Sequence, residues 1–264
     1  MNTAFLYLDE LQPDRRKGPG RDYAAYGGVL IPTEVAAELR KSLIKIYLEA
    51  SRGAISPQNP PHSLSLPGET DRAKLHFARS LNELLFKYQI IIFIHGFTGN
   101  SPLSVEDIFE HQLITAFSGI ERMVSSFIQH SQLNLAIFPF VELRPPAKGA
   151  AQSVSAKLIE RYIFRATDED FGEVYLHWND VAFFSKLSWL GYLADYALYM
   201  RSRNLMKFFG RVETEFGSLL SELAGDLNTI AIENWVPIDA AGDGRYEWSS
   251  AISCRFGPLT KTLR

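Results

Sequence analysis

The chain has 264 residues, a formal net charge of -3 and a single cysteine, Cys254. One cysteine excludes a disulfide within the chain and a cysteine-based zinc site. Because the net charge is negative, the protein as a whole lacks the positive electrostatic field that is typical of nucleic-acid-binding proteins. The first residues lack the pattern of a signal peptide, and the longest apolar run, residues 90–94, is too short to cross a bilayer. We therefore expect a soluble, cytoplasmic protein with no membrane partner, and the sequence leaves its oligomeric state open.

Apolar strands alternate with amphipathic helices along most of the chain. In chain order, the predicted elements are strands at 5–8 and 23–31, a helix capped by Thr33, a short strand at 62–66, a helix at 70–88, a strand at 89–97, a helix at 104–130, a strand at 133–141, a helix at 153–166, a strand at 173–178, and helices at 188–207 and 213–223. This order predicts an α/β fold, and the early pair of strands predicts that its sheet is mixed. We expect one domain over residues 1–264, with a less regular C-terminal extension from about residue 210.

One motif suggests a hydrolase and is rejected. Residues 91–100 read IIFIHGFTGN, and a strand running into His95-Gly96 is similar to the oxyanion loop of an α/β-hydrolase. That chemistry also needs a nucleophilic serine in a G-x-S-x-G turn. The chain contains no such turn, so we interpret His95 as a structural residue.

Two segments resemble a known family. Residues 5–32 contain Asp9-Glu10 and then Gly27-Gly28-Val29, and residues 184–199 contain Ser185-Lys186-Leu187-Ser188 followed by Leu193-Ala194-Asp195. In these motifs and their spacing the chain resembles the domain-of-unknown-function 3800 family, which is grouped with ribonuclease H-like proteins. The likeness is loose over about the first 205 residues and specific only in the two segments. It implies a ribonuclease H-like mixed sheet flanked by helices, with additional helical elements.

The resemblance implies a nuclease, or a related phosphodiester-processing enzyme, that depends on Mg²⁺ or Mn²⁺. Two-metal cleavage of a phosphodiester needs several converging carboxylates, and hard divalent cations prefer oxygen ligands. Asp9 ends the first strand, and Asp195 lies on a largely apolar helix, where a charge is costly unless it is paired or binds a metal. The implied catalytic residues are Asp9, Asp195 and Glu142, which ends the strand 133–141. The implied metal ligands are Asp9 and Asp195, with Glu10 as a weaker third, since its side chain points away from that of Asp9.

Basic residues follow both acidic positions. Arg15, Arg16, Lys17 and Arg21 lie in the loop after Asp9, and we interpret them as candidate nucleic-acid contacts, because phosphate contacts position a bound strand. A second basic set extends the Asp195 helix: Arg201, Arg203, Lys207 and Arg211. Both sets are equally compatible with a solvated loop and with favourable cations at a helix C-terminus.

Three departures from the family pattern leave a second hypothesis open. Leu11 stands where the family has serine, Tyr192 where it has glutamine, and Phe184 where an aspartate is often found. Phenylalanine in place of a carboxylate removes a metal ligand. The alternative is therefore a ribonuclease H-like protein that has lost catalysis and binds nucleic acid or a protein partner.

Overall fold

The computed structural model describes residues 2–11, 22–52, 58, 60–66, 69–99, 119–128, 130–131, 135–142, 182–185, 188–208 and 214–238. The strands are β1 (Asn2–Leu11), β2 (Asp22–Pro32), β3 (Ile91–Gly99), β4 (Leu135–Glu142), β5 (Ala182–Phe184) and β6 (Ala231–Ile238). The helices are α1 (Thr33–Ala50), α2 (Asp71–Lys87), α3 (Trp189–Phe208) and α4 (Glu215–Asp226). Residues 119–128 are also helical, and a short 3-10 helix, Leu227–Thr229, follows α4.

The six strands form one mixed sheet in the order β5-β4-β1-β2-β3-β6. The pairs β1–β2 and β2–β3 are antiparallel, whereas β1–β4, β4–β5 and β3–β6 are parallel. β1 is thus a central strand, with an antiparallel neighbour on one side and a parallel one on the other. The predictions of an α/β fold and of a mixed sheet are confirmed.

Helices cover both faces of the sheet. On one face, α1 to α4 enclose the main core, in which Ile92 and Ile94 of β3 pack with Leu39, Leu81 and Leu193. Phe93 points to the opposite face, where its ring meets Phe127 of the helical segment 119–128 at 5.7 Å. No helix in the described part of the chain is long and apolar enough to cross a membrane.

Several local predictions differ from the structure. Residues 62–66 form a turn rather than a strand. Thr33 does not cap α1, because its hydroxyl bonds to Thr3 of β1 instead. The segment 231–238, expected to be irregular, is strand β6. The predicted elements at 153–166 and 173–178, and residues 104–118 of the predicted helix 104–130, lie outside the described residues.

A row of buried polar side chains crosses the face opposite the main core. The strand register aligns Glu10 with Tyr26, Tyr26 with His95, and His95 with Asn234. All four side chains are buried. The Nδ1 atom of His95 lies 3.2 Å from the amide nitrogen of Asn234, so His95 has the structural role expected for it.

The stability of the fold is expected to fall in mild acid because of His95. Burial, together with the positive charge of Arg122, lowers the pKa of His95 from 6.5 to about 4. As the pH falls below 6.5, His95 becomes protonated in the unfolded chain, whereas in the folded chain it stays neutral until about pH 4. The free energy of unfolding therefore decreases between pH 6.5 and pH 4. A difference of this size corresponds to about 3 kcal/mol. Urea unfolding between pH 7 and pH 4 measures the loss, which should be smaller in His95→Gln; equal losses in both proteins would contradict the assignment.

Candidate functional site

Three neighbouring strands end in a row of side chains that faces α3. The rings of Tyr7 in β1 and Phe140 in β4 are register partners and stack at 4.9 Å. Two residues further along, on the same face, these strands present Asp9 and Glu142. Glu142 is in turn paired with Phe184 of β5. All three side chains in this row are buried, Asp9 at 4%, Glu142 at 8% and Phe184 at 9% exposure.

Two glycines bring α3 close to this row. Gly27 of β2 pairs with Asp9, and a Cβ atom there would lie 2.9 Å from Leu198 of α3 and 2.6 Å from the carbonyl oxygen of Phe93. A Cβ atom on Gly191 would lie 2.2 Å from the ring of Phe184. Neither contact leaves room for a side chain, so both glycines are needed for helix α3 to lie directly over the strand ends.

Asp195 of α3 completes a pocket above the strand ends. The pocket has a volume of about 110 Å³ and is partly open to solvent. Its lining residues are Asp9, Pro60, Pro61, His62, Glu142, Phe184, Ser188, Gly191, Tyr192 and Asp195. The three residues predicted to be catalytic therefore line one pocket. The lining thus contains three carboxyl groups and one imidazole.

The turn at residues 60–66 forms one wall of the pocket and holds Asp195. The backbone N–H of Ser63 donates to Oδ2 of Asp195 at 2.6 Å, and Nδ1 of His62 lies 3.1 Å from the same oxygen. The Ser63 hydroxyl is 3.5 Å from it. The hydroxyl of Tyr192 donates to the carbonyl oxygen of Ser63 at 2.6 Å. The charge of Asp195 on an apolar helix is therefore compensated by donors from a distant turn.

Glu10, predicted as a metal ligand, does not line this pocket. It belongs to the polar row on the opposite face, and only its backbone reaches the site, where its N–H donates to Oδ1 of Asp9 at 2.7 Å. This is the result of the alternation of side chains along β1. Of the predicted site residues that the structure describes, Asp9, Glu142 and Asp195 therefore line the pocket, and Glu10 does not.

The basic residues predicted to contact phosphates do not line the pocket within the described part of the chain. Arg15, Arg16, Lys17 and Arg21 lie outside the described residues. Arg201 is buried, forms an ion pair with Glu233 and donates to the carbonyl oxygen of Ala224 at 2.9 Å. The guanidinium of Arg203 lies 4.7 Å from the centre of the Tyr199 ring. The ion pair of Arg201 with Glu233 therefore links α3 to β6, and the guanidinium is not placed to bind a phosphate.

The side chains that line the pocket are of a kind that binds divalent cations, but they are not close enough together to hold one. Carboxylate oxygens are the ligands that Mg²⁺ and Mn²⁺ prefer. Within the described residues, however, no group of three His, Cys, Asp or Glu side chains is arranged to hold a metal ion. Binding an ion between Asp9, Glu142 and Asp195 would require these side chains to draw together.

Comparison with family models, with curated proteins and with solved structures finds no match for this chain. The geometry of the pocket is therefore the basis for interpreting its chemistry. Sequence reasoning missed Ser63, whose contribution is a backbone N–H and leaves no signal in residue type. It also missed Gly191, although a glycine in the interior of a helix signals close packing.

Proposed function

We propose that this protein is a Mg²⁺- or Mn²⁺-dependent nuclease or a related phosphodiester-processing enzyme. The observation that carries the proposal is the pocket lined by Asp9, Glu142 and Asp195. These residues come from two strand ends and a helix, and two of them, Asp9 and Glu142, are buried. Carboxylate oxygens are the ligands that Mg²⁺ and Mn²⁺ prefer, which supports a divalent cation as the occupant of this pocket.

In this proposal Asp9, Glu142 and Asp195 would draw together to hold the cation, which would supply Lewis-acid stabilisation of the phosphate charge. The role of the chain is to fix the ligands. Asp9 is held by the backbone N–H of Glu10, and Asp195 by the turn at residues 60–66. The aromatic side chains of Phe184 and Tyr192 contribute apolar surface to the lining.

We also propose a ribonuclease H-like fold for the sheet. A central β1 with an antiparallel neighbour on one side and parallel strands on the other supports it. So does the position of the candidate carboxylates, which lie at the end of β1, at the end of β4 and on the helix packed above them. β6 is then an addition at the edge of the sheet, paired with β3.

One observation favours the competing function, a non-catalytic protein that binds nucleic acid or a protein partner. Phe184 is the register partner of Glu142 and stands in the row of strand ends, where a fourth carboxylate would complete the site. Its ring packs against Gly191 and makes an edge contact with Tyr7 at 5.4 Å. The site is therefore poorer in ligands than a two-metal site ordinarily is.

Cleavage assays distinguish the two functions. Labelled single strands, duplexes and RNA–DNA hybrids are incubated with the protein and Mg²⁺, Mn²⁺ or a chelator, beside identically purified Asp195→Asn. The enzyme hypothesis requires cutting that depends on the metal and is lost in the variant. No cutting, or cutting that survives the substitution, favours the binding protein, and retarded migration of the same nucleic acids would then identify its ligand.

Phe184→Asp is expected to strengthen cation binding. The substitution adds a carboxylate beside Glu142, and affinity for hard cations rises with the number of charged ligands. We expect roughly tenfold tighter Mn²⁺ binding by calorimetry, which corresponds to about 1.4 kcal/mol. Phe184→Asn is the matched control, because it removes the same ring and adds no charge. Equal affinities in the two variants would show that this position does not reach the ion.

A further inference from the structure

The carboxylate of Asp195 is held through one of its two oxygens. The Ser63 N–H, the Ser63 hydroxyl and His62 all contact Oδ2. No described residue makes a hydrogen bond or ion pair with Oδ1. A carboxylate fixed by donors on one oxygen keeps the other for a ligand, and its orientation depends on how firmly those donors are held.

The principal donor, the Ser63 N–H, belongs to a turn that has to be held in place. Ser63 has a φ of 52°, in the left-handed region that residues with a side chain rarely adopt. Such a conformation persists only where surrounding contacts impose it. Within the turn, the Ser65 N–H donates to the carbonyl oxygen of His62 at 2.8 Å. From outside the turn, the Tyr192 hydroxyl donates to the Ser63 carbonyl oxygen at 2.6 Å, which fixes the peptide that follows Ser63.

Tyr192 is itself rigidly placed. It lies on α3, one turn before Asp195, with only 4% of its surface exposed and with ring contacts to Trp189 and Tyr196. Burial raises its pKa well above 10, so the hydroxyl keeps its proton and acts as a donor. Helix α3 therefore contacts one turn at two points: Tyr192 holds the Ser63 carbonyl, and Asp195 accepts from the Ser63 N–H.

We propose that Tyr192 is a positioning residue, which fixes the Ser63 peptide so that the carboxylate of Asp195 presents Oδ1 to a cation in the pocket. This inference rests on the proposed function, since it assigns a cation to the same site. It also gives a role to the tyrosine that replaces the family's glutamine.

Tyr192→Phe tests the inference, with Tyr196→Phe as its matched control. Both changes remove one hydroxyl from a buried tyrosine of α3. The Tyr196 hydroxyl bonds to Ala78 and Asn82 of α2, at 2.8 and 2.7 Å, away from the pocket. The two variants are therefore expected to lose similar stability, and only Tyr192→Phe should affect the site.

Three measurements are compared in the wild type and both variants: exchange of the Ser63 amide hydrogen by NMR, Mn²⁺ affinity by calorimetry, and the kcat and KM of cleavage. In Tyr192→Phe we expect faster exchange at Ser63, roughly fivefold weaker Mn²⁺ binding, as the loss of one hydrogen bond implies, and a lower kcat with KM for nucleic acid unchanged. In Tyr196→Phe we expect wild-type values for all three.

Unchanged Ser63 exchange in Tyr192→Phe would overturn the inference, and so would faster exchange with unchanged Mn²⁺ affinity. Equal effects of the two variants on Mn²⁺ binding would reduce Tyr192 to a general packing role and overturn it as well. Failure of the proposed function is distinguished by the wild type. A wild-type protein that neither binds Mn²⁺ nor cuts would remove the cation site, and the positioning role with it.

Discussion

Replacing Asp9 with asparagine is expected to lower metal-dependent cleavage by about a thousandfold. A bound cation supplies several kcal/mol of charge stabilisation to such a reaction, and each 1.36 kcal/mol is a factor of ten in rate. Asparagine keeps the size of the side chain and an oxygen that accepts from the Glu10 N–H. It removes the negative charge that would hold the proposed cation. Single-turnover rates at saturating Mn²⁺, with the thermal midpoint recorded for each protein, measure the effect.

Glu222→Gln is the matched control for Asp9→Asn. Glu222 is an exposed residue of α4 and does not line the pocket, so the same loss of one carboxylate charge should leave the rate unchanged. A normal rate in Asp9→Asn would remove Asp9 from the site. A rate reduced equally in both variants would point to general electrostatics rather than to ligation.

Replacing Arg201 with methionine is expected to cost 3–5 kcal/mol of unfolding free energy, the typical cost of removing one partner of a buried ion pair. Two nitrogens of the Arg201 guanidinium meet the two carboxylate oxygens of Glu233, with the second contact at 3.0 Å. The guanidinium also bonds to Ala224 and Asn228. Methionine has a similar volume but leaves the Glu233 charge buried without its cation. Urea denaturation at neutral pH measures the loss.

The double variant Arg201→Met, Glu233→Gln tests whether the orphaned charge causes this loss. Removing both charges is expected to recover part of the stability, because no uncompensated ion is left inside. Arg79→Met on the exposed side of α2 serves as the surface control and should change stability by less than about 0.5 kcal/mol. A loss below about 1 kcal/mol in the single variant would contradict the interpretation of Arg201 as a structural residue.

The elements with regular patterns were predictable from the sequence. Helix α2 shows helical spacing and starts where expected, with the Thr70 hydroxyl accepting from the Ala73 N–H at 3.3 Å. The apolar composition of β1, β3 and β4 predicted that these segments are buried strands. Asp9, Glu142 and Asp195 were singled out by the family resemblance, and their positions at two strand ends and on an apolar helix agreed with it. The structure places all three in one pocket.

What the sequence did not indicate depends on partners far along the chain. β6 contains Glu233, Asn234 and Pro237, an unpromising composition for a strand inside a domain. Glu233 is compensated by Arg201 and Asn234 by His95, and neither partner is near in sequence. Proline is tolerated because β6 is an edge strand. Residues 62–66 alternate locally and were predicted to be a strand, but they form a turn closed by the bond from the Ser65 N–H to the His62 carbonyl oxygen. Tyr192 and Asp195 of α3 bond to the same turn, and these distant contacts leave no local pattern.

The acidic pocket draws on positions 9, 142 and 195, which together span most of the chain. Contacts over such separations form late in folding, because long loops must close first. A partly synthesised or proteolytically shortened chain that lacks α3 therefore has no Asp195 and only an incomplete pocket. Any activity of this pocket therefore arises only once the fold is finished, and an incomplete chain does not yet carry it.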